Sequence, residues 1–114
     1  MARDHVLVID QGTTSTRAVV YDRRLRPVGQ GQVEVPPTYP NPGWVEHDPK
    51  ALVNSAGPMV VAAMASAGIG TGQIAGIGLT NQRETTIVWD RATGRAIGPA
   101  IVWQDRRTAP FCEA

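Results

Sequence analysis

The segment DQGTTSTR, residues 10–17, combines an acid, a glycine, a run of hydroxyls and a basic residue. The residues concerned are Asp10, Gly12, Thr13, Thr14, Ser15 and Arg17. Glycine permits a tight turn, and hydroxyls with exposed backbone amides can line an anion site. An acid at a strand end can orient a hydrated divalent cation. The set therefore suits a phosphate with its metal ion; the alternative is a hairpin turn whose hydroxyls are satisfied locally.

An adjacent arginine and glutamate, Arg83 and Glu84, lie between two strand-like runs in TNQRETTIVWD, residues 80–90. Neighbours on a strand point to opposite faces, so an ion pair between the two is not the obvious arrangement. Arginine offers a planar fork of donors and glutamate offers acceptors, so together they can bind a polyol whose hydroxyls both donate and accept. The alternative is a solvated loop ion pair of little energetic value, which residue types alone favour.

A third candidate is Trp103 in WQDRRT, residues 103–108. Its ring can present an apolar wall to the carbons of a ligand, with Asp105 and the arginines as polar neighbours, or it can simply be core. His47 has no second histidine or cysteine at metal spacing, which favours a loop or capping role. The glycines of residues 68–72 precede a strand, whereas a dinucleotide loop follows one, and the P-loop pattern is absent from the sequence.

The composition restricts the partners that these side chains can serve. Eleven basic and ten acidic residues give a net charge of +1, which gives no broad surface for nucleic acid or an anionic membrane. A single cysteine, Cys112, cannot form an internal disulfide, and no stretch approaches the roughly 20 apolar residues of a membrane helix. The 114 residues, 42% of them hydrophobic, predict one soluble, cytoplasmic domain with its own core.

Three strands are predicted to position the first candidate. Apolar or alternating runs occupy residues 6–10, 17–22 and 28–35, with turns at residues 11–16 and 23–27. Short strands joined by tight turns pair with their neighbours in the chain. The sequence therefore predicts a three-stranded antiparallel meander.

A helix is predicted to follow the meander. Asp48 before Pro49 is typical of an N-cap with proline in the first helical turn, and the apolar run that follows predicts a helix towards Ala67. Gly57 and Pro58 fall inside this helix, and both residues are unfavourable in a helix interior. We therefore expect a break or kink at that point.

The remaining pattern predicts further strands at residues 74–80, 85–90 and 96–105, with a hairpin turn at residues 91–94. An antiparallel hairpin region followed by a crossover helix is typical of a mixed sheet. The predicted fold class is therefore α/β, with a mixed sheet that begins with the three-stranded meander.

Four segments in this order resemble the N-terminal part of the glycerol kinase family, within the sugar and polyol kinases. They are DQGTTSTRAVVYD, PGWVEHDP, IGLTNQRETTIVWD and TGRAIGPAIVWQDRRT. The likeness extends from Val6 to Glu113, and NQRET with the later IVWQ and RRT is its most specific part. The resemblance implies an actin-like (ribonuclease H-like) ATPase domain.

This resemblance also implies an activity, the transfer of the γ-phosphoryl group of ATP to a terminal hydroxyl of glycerol, with Mg²⁺ present. Such a transfer depends on positioning and charge neutralisation. Arg83 and Glu84 would hydrogen-bond the glycerol hydroxyls, and Trp103 would cover its carbons. Asp10 would support the magnesium ion. The residues implied in binding the nucleotide are Asp10, Gly12, Thr13, Thr14, Ser15 and Arg17.

Family members are several times longer and place both substrates in a cleft between two domains. Their catalytic base, an aspartate, lies beyond Ala114, so we expect no catalytic base within the chain and no activity from it alone. The abrupt end of DRRTAPFCEA, which has no cap or turn signal, agrees with residues 1–114 being the leading part of the first actin-like domain. Family members often associate as homo-oligomers.

Two other functions stay open at this level. The same fold can phosphorylate another polyol or a sugar, and Arg83 with Glu84 would then be tuned to a different acceptor. A separate, non-catalytic domain that binds a small ligand or a partner protein is the other alternative. A natural stop codon directly after Ala114 would favour that second alternative.

Overall fold

The computed structural model describes residues 2–114 as strands and helices in the following order. The strands are β1 (His5–Gln11), β2 (Ser15–Tyr21), β3 (Pro27–Glu34), β4 (Glu46–His47), β5 (Ile74–Asn81) and β6 (Ala100–Ile101), and the helices are α1 (Pro49–Ala67) and α2 (Ala109–Glu113). A short 3₁₀ helix, Thr71–Gln73, precedes β5. No helix within residues 2–114 has the length and apolar character needed to cross a membrane.

The main sheet has the strand order β3-β2-β1-β5. Strands β1, β2 and β3 pair antiparallel as a meander, and β5 returns through α1 to pair parallel with β1. The predicted α/β fold with a mixed sheet is therefore confirmed. A second, two-stranded sheet joins β4 to β6 in antiparallel register.

Helix α1 covers one face of the meander. Leu7, Ala18 and Val20 of the strands form a buried cluster with Ala63 of the helix. Burial of apolar surface is the main favourable contribution to such packing, at about 25 cal/mol per Å². Helix α1 packs close to β3 because β3 carries glycine at the contact. A Cβ added to Gly29 would overlap the backbone of Ala63.

The ends of α1 agree with the sequence, whereas the predicted break inside it is wrong. Asp48 caps the first turn, since its carboxylate accepts a hydrogen bond from the Lys50 amide at 3.0 Å. The helix then continues without interruption past Gly57 and Pro58. Proline removes the hydrogen bond to the carbonyl of Asn54, but Asn54, Gly57 and Pro58 are all exposed, so water can solvate the freed carbonyl.

The predicted strands at residues 85–90 and 96–105 are also wrong as regular elements. Thr86 and Ile101 exchange two backbone hydrogen bonds of 2.9 Å, and Trp89 lies opposite Ala96, but no ladder connects these two bridges. Pro99 has no amide to donate, and the hairpin is exposed on both sides. The predicted turn at residues 91–94 is present, with the Asp90 amide bonded to the Arg95 carbonyl at 2.7 Å.

Candidate functional site

Strands β1 and β5 end side by side, with Asp10 next to Thr80 in parallel register. Strand β1 leads into a turn of residues 12–14, and β5 leads into a turn of residues 82–84. Ligands of open α/β sheets bind beyond the carboxyl ends of parallel strands. The topology therefore brings the first two sequence candidates to the same end of the sheet.

The 12–14 turn is held by its own backbone and leaves donors free. The Gly12 amide donates to the Ser15 carbonyl at 2.9 Å, and the Thr14 carbonyl accepts from Val35 at 2.8 Å. Within residues 2–114, the Thr13 and Thr14 amides have no hydrogen-bond acceptor. Consecutive free amides in a turn form a concavity that binds anions. This turn can therefore receive a phosphate group.

Some of the candidate hydroxyls have partners in the protein. The Ser15 hydroxyl accepts a hydrogen bond from the Gln32 side chain at 3.0 Å, whereas Thr14 is exposed. Thr16, which the sequence did not single out, is buried and exchanges a hydrogen bond of 2.6 Å with Ser55 of α1. The turn thus combines hydroxyls that fix it to the fold with one that faces solvent.

Asp10 and Arg17 face each other across β1 and β2. A guanidinium nitrogen of Arg17 lies 3.5 Å from a carboxylate oxygen of Asp10, and the two side chains are 44% and 38% exposed. So long and exposed a contact contributes little to stability, which leaves both charges able to meet a ligand. Residues 2–114 contain no cluster of three or more metal-binding side chains. A single carboxylate fits Mg²⁺, which keeps several waters and is commonly shared with substrate phosphates.

Trp103 reaches the 12–14 turn from the other end of the sequence. Its indole nitrogen donates to the Thr13 hydroxyl at 2.9 Å, and the two residues are 90 positions apart in the chain. The side chain remains half exposed, so the ring is not core and keeps area for a ligand. This hydrogen bond joins the first and third sequence candidates directly.

Arg83 and Glu84 form the 82–84 turn, and both are exposed. Within residues 2–114, neither takes part in an ion pair, so the loop salt bridge that residue types favoured is not formed. Glu84 has a φ of 67°, in the left-handed region that non-glycine residues rarely occupy. Backbone strain of this kind clusters at functional sites and ligand clamps.

Gln82, which the sequence did not place in a site, connects the two turns, and His47 and Thr85 bond to its side chain. The Gln82 amide nitrogen lies 3.4 Å from the Gly12 carbonyl and 3.0 Å from Nδ1 of His47. The Thr85 hydroxyl donates to the Gln82 side-chain oxygen at 2.9 Å. Gln82 and Thr85 flank the candidate pair within NQRET, which is the only signal that could have identified them.

His47 has neither of the roles expected from the sequence, because it is a buried residue of β4. It is 1% exposed, and its Nε2 atom is buried without a hydrogen-bond partner. Burial disfavours the charged imidazolium and so lowers the pKa of His47 below its ordinary value. A neutral ring therefore lies beneath the two turns.

Asp105 and Arg107 connect two distant parts of the chain. The Asp105 carboxylate accepts from the Val45 amide at 2.6 Å and from Arg107 at 2.7 Å. Arg107 also donates to Glu46 at 2.8 Å, and its guanidinium lies 4.0 Å from the ring centre of Trp44. The Arg107 hydrogen bonds lower the pKa of Asp105 to about 2. This network joins residues 105–107 to residues 44–46.

The site is an open surface, and a larger recess lies elsewhere. A cavity of about 530 Å³ lies between the first turn of α1 and residues 95–99. A smaller recess of about 330 Å³ is lined by Thr14, Ser15 and Pro36, among others. The chemistry of the residues, and not cavity size, therefore identifies the candidate site.

The chain matches known proteins over nearly its whole length. The FGGY family of carbohydrate kinases, N-terminal domain, matches residues 5–114. Glycerol kinase of Allorhizobium ampelinum is 57% identical over 108 residues, which are 95% of this chain and 22% of that protein. Glycerol kinase of a Shewanella strain is 51% identical over 99% of this chain and 23% of its own length. The chain thus spans about a quarter or less of these relatives.

Solved structures share the fold. Plasmodium falciparum glycerol kinase with ADP superposes with a TM-score of 0.80 at 33% identity, covering 98% of this chain and 22% of that one. Xylulose kinase of Rhodospirillum rubrum gives a TM-score of 0.82 at 25% identity, covering 96% of this chain and 23% of that one. The two enzymes are named for different acceptors, so the shared fold does not select the acceptor.

These matches confirm that the mixed sheet belongs to the actin-like type of α/β fold. The chain belongs to the FGGY family of carbohydrate kinases, and residues 5–114 correspond to the N-terminal domain of that family.

Proposed function

We propose that residues 1–114 are the N-terminal part of the first actin-like domain of an ATP-dependent glycerol kinase. The enzyme would transfer the γ-phosphoryl group of ATP to glycerol and release sn-glycerol 3-phosphate and ADP. The observation that carries this proposal is the hydrogen bond of 2.9 Å between Trp103 and Thr13. It brings a residue suited to a polyol against a turn suited to a phosphate, as a phosphoryl transfer between the two requires.

On the nucleotide side, the free amides of the 12–14 turn and the Thr13 and Thr14 hydroxyls bind phosphate oxygens. Arg17 neutralises phosphate charge, and Gly12 allows the backbone to approach closely. Ser15 holds the start of β2 in place through its bond to Gln32. Asp10 supplies the carboxylate for Mg²⁺, which when bound shields the charge that develops on the phosphates.

On the acceptor side, Arg83 and Glu84 bind two hydroxyls of glycerol. Neither side chain is engaged in an ion pair within residues 2–114, so their hydrogen-bonding groups are available. The Trp103 ring covers the carbon chain of the polyol while its nitrogen stays bonded to Thr13. Donors, acceptors and an apolar wall together match the chemistry of a short triol.

The reaction forms one bond and breaks one. The terminal oxygen of glycerol attacks the γ-phosphorus, the bond from that phosphorus to the bridging oxygen of ADP breaks, and the glycerol proton passes to a base. Asp10 lies beside the phosphate turn, and its proposed role is to hold the magnesium ion. We assign the base to a residue beyond Ala114. The residues of this chain contribute orientation and charge, the two main sources of catalysis in phosphoryl transfer. The setting is cytoplasmic, where ATP is available.

The test is a coupled assay of ADP release by the full-length protein with ATP, Mg²⁺ and a series of polyols. We expect glycerol to be the preferred acceptor, and no measurable product when the 114-residue chain replaces the full-length protein. Appreciable glycerol 3-phosphate from the 114-residue chain would show that the base lies within it. A full-length protein without glycerol-dependent ADP release would overturn the proposed function.

A second candidate is a kinase of another polyol or a sugar, which the likeness to xylulose kinase favours. Arg83→Ala in the full-length protein distinguishes the two candidates. For a glycerol kinase we expect its KM for glycerol to rise at least tenfold, because a charge-assisted hydrogen bond contributes roughly 1.5–3 kcal/mol. An unchanged KM for glycerol, with another polyol as the better substrate, would favour the second candidate.

A further inference from the structure

The two turns of the candidate site belong to one closed ring of hydrogen bonds. Gln82 links the Gly12 carbonyl to the Thr85 hydroxyl, at 3.4 Å and 2.9 Å. The Trp103 amide lies 3.3 Å from the same hydroxyl, and its indole nitrogen returns to Thr13 at 2.9 Å. Since Thr13 follows Gly12 in the chain, the ring is complete.

The ring has a defined direction of donation. The Gly12 carbonyl can only accept, so the amide nitrogen of Gln82 must face it and the side-chain oxygen must face Thr85. The same nitrogen then donates to Nδ1 of His47, which must be unprotonated at that atom. Burial lowers the pKa of His47 and so favours its neutral imidazole. The Thr85 hydroxyl donates to Gln82 and accepts from Trp103, so it uses both of its functions.

We propose that Gln82 and Thr85 are positioning residues that couple the polyol-binding turn to the phosphate-binding turn. This inference rests on the proposed function and extends it. Gln82 immediately precedes Arg83, and Thr85 immediately follows Glu84, so a rigid ring fixes both acceptor-binding residues relative to Thr13. The polyol oxygen and the phosphorus are thereby held at a set distance before either ligand binds.

The size of the effect follows from the sensitivity of transfer reactions to geometry. A displacement of about 1 Å can cost about a hundredfold in rate. The 82–84 turn otherwise depends on few contacts: both acceptor residues are exposed, and Glu84 holds a left-handed backbone conformation. Without the ring, the 82–84 turn would keep its ligand-binding groups but lose their alignment with the phosphate.

The experiment is a set of variants of the full-length enzyme, assayed for kcat and for KM of both substrates. Thr85→Val keeps the shape and removes the hydroxyl, and Thr85→Ser is its matched control because it keeps the hydroxyl. Trp103→Phe keeps an aromatic wall and removes the bond to Thr13. We expect Thr85→Val and Trp103→Phe each to lower kcat about tenfold to a hundredfold, with Thr85→Ser within about threefold of wild type.

The double variant Thr85→Val/Trp103→Phe separates a coupled ring from two independent contacts. The effects of substituting residues that act as a unit are strongly non-additive. We therefore expect the kcat of the double variant to lie within about threefold of that of the less active single variant. A loss equal to the product of the two single losses would overturn the inference, as would equal losses for Thr85→Ser and Thr85→Val. If Thr85→Val does not fold, Gln82→Glu replaces it, because a carboxylate cannot donate to the Gly12 carbonyl.

The acceptor in this experiment is whichever polyol or sugar the wild-type enzyme phosphorylates best. Additive losses with glycerol as the best acceptor would overturn the coupling and leave the proposed function intact. Non-additive losses with a different best acceptor would support the coupling and overturn glycerol as the substrate. A wild-type protein without any ATP-dependent phosphorylation would overturn both.

Discussion

The meander with α1 and the segment of residues 82–108 are stabilised by different interactions. The first region buries apolar side chains between a helix and a sheet, and its polar contacts are mostly those of regular structure. The second has little regular structure and is fixed by side-chain hydrogen bonds and by the Asp105–Arg107 network. The first region thus supplies stability, and the second supplies groups that are oriented but exposed.

The difference shows how the groups of a candidate site can be oriented without a deep cavity. Apolar burial is not directional, so it keeps the sheet and helix together without setting the direction of any polar atom. Hydrogen bonds are directional, and those of residues 82–108 join positions as far as 90 residues apart. Changes in the two regions should therefore have different consequences.

The largest effect on stability is expected in the first region, from Leu52→Ala in α1. Leu52 is 4% exposed, and truncating a buried leucine typically costs about 2–5 kcal/mol of unfolding free energy. The control is Val53→Ala, the next residue, which is 71% exposed and should change stability by less than about 0.5 kcal/mol. Thermal unfolding of the full-length variants measures both stability losses. Equal losses for Leu52→Ala and Val53→Ala would contradict the view that apolar burial stabilises the first region.

Gly29→Ala tests the close approach of the helix to β3. A methyl group there would overlap the Ala63 backbone, and overpacking typically costs about 1–3 kcal/mol. Gly76→Ala on β5 is the matched control, because no atom lies within 4 Å of its added methyl. We expect a lower melting temperature for the first variant only. A neutral Gly29→Ala would mean that α1 can shift away from the sheet at little cost.

The smallest expected effect is a pH dependence due to His47, whose side chain bonds to Gln82 of the second region. Burial lowers the pKa of His47, so the unfolded chain binds more protons than the folded one just below pH 6.5. The stability that neutral His47 contributes is present above that pH and is lost as pH falls below it. The melting temperature should therefore fall on acidification, and His47→Gln should flatten that fall.

His5→Gln is the control for this measurement, since His5 is the other of the two histidines in the chain. His5 lies at the start of β1 and bonds to Asp4 at 2.8 Å, away from the two turns. This variant leaves His47 and its bond to Gln82 in place. Flattening by His5→Gln, with none by His47→Gln, would assign the effect to the first region.

The sequence was a good guide where structure is set by local patterns. Alternating and apolar runs placed the meander and β5, and the Asp48–Pro49 pair located the start of α1, because caps and periodicity act over a few residues. It failed at Pro58, where exposure of the freed carbonyl lets the helix continue. It also failed over residues 96–105, where β6 pairs with the distant strand β4.

The distinction between local patterns and distant contacts also applies to the candidate site. The nearness of Asp10 to Arg17 follows from the register of a hairpin. The bond between Trp103 and Thr13 spans 90 residues, and no local pattern encodes it. Gln82 and His47 were missed because a partly or fully buried polar residue looks no different in a sequence from an exposed one. The roles of Arg83 and Glu84 remain predictions until ligand binding is measured.

Glu84 also sets a limit for protein engineering. A left-handed backbone conformation costs a residue with a side chain of order 1 kcal/mol, and glycine relieves that cost. Stability design would therefore select glycine here, and the protein would gain thermal tolerance while losing a carboxylate that faces solvent. Position 84 is thus a place where selection for robustness and selection for ligand recognition would favour different amino acids.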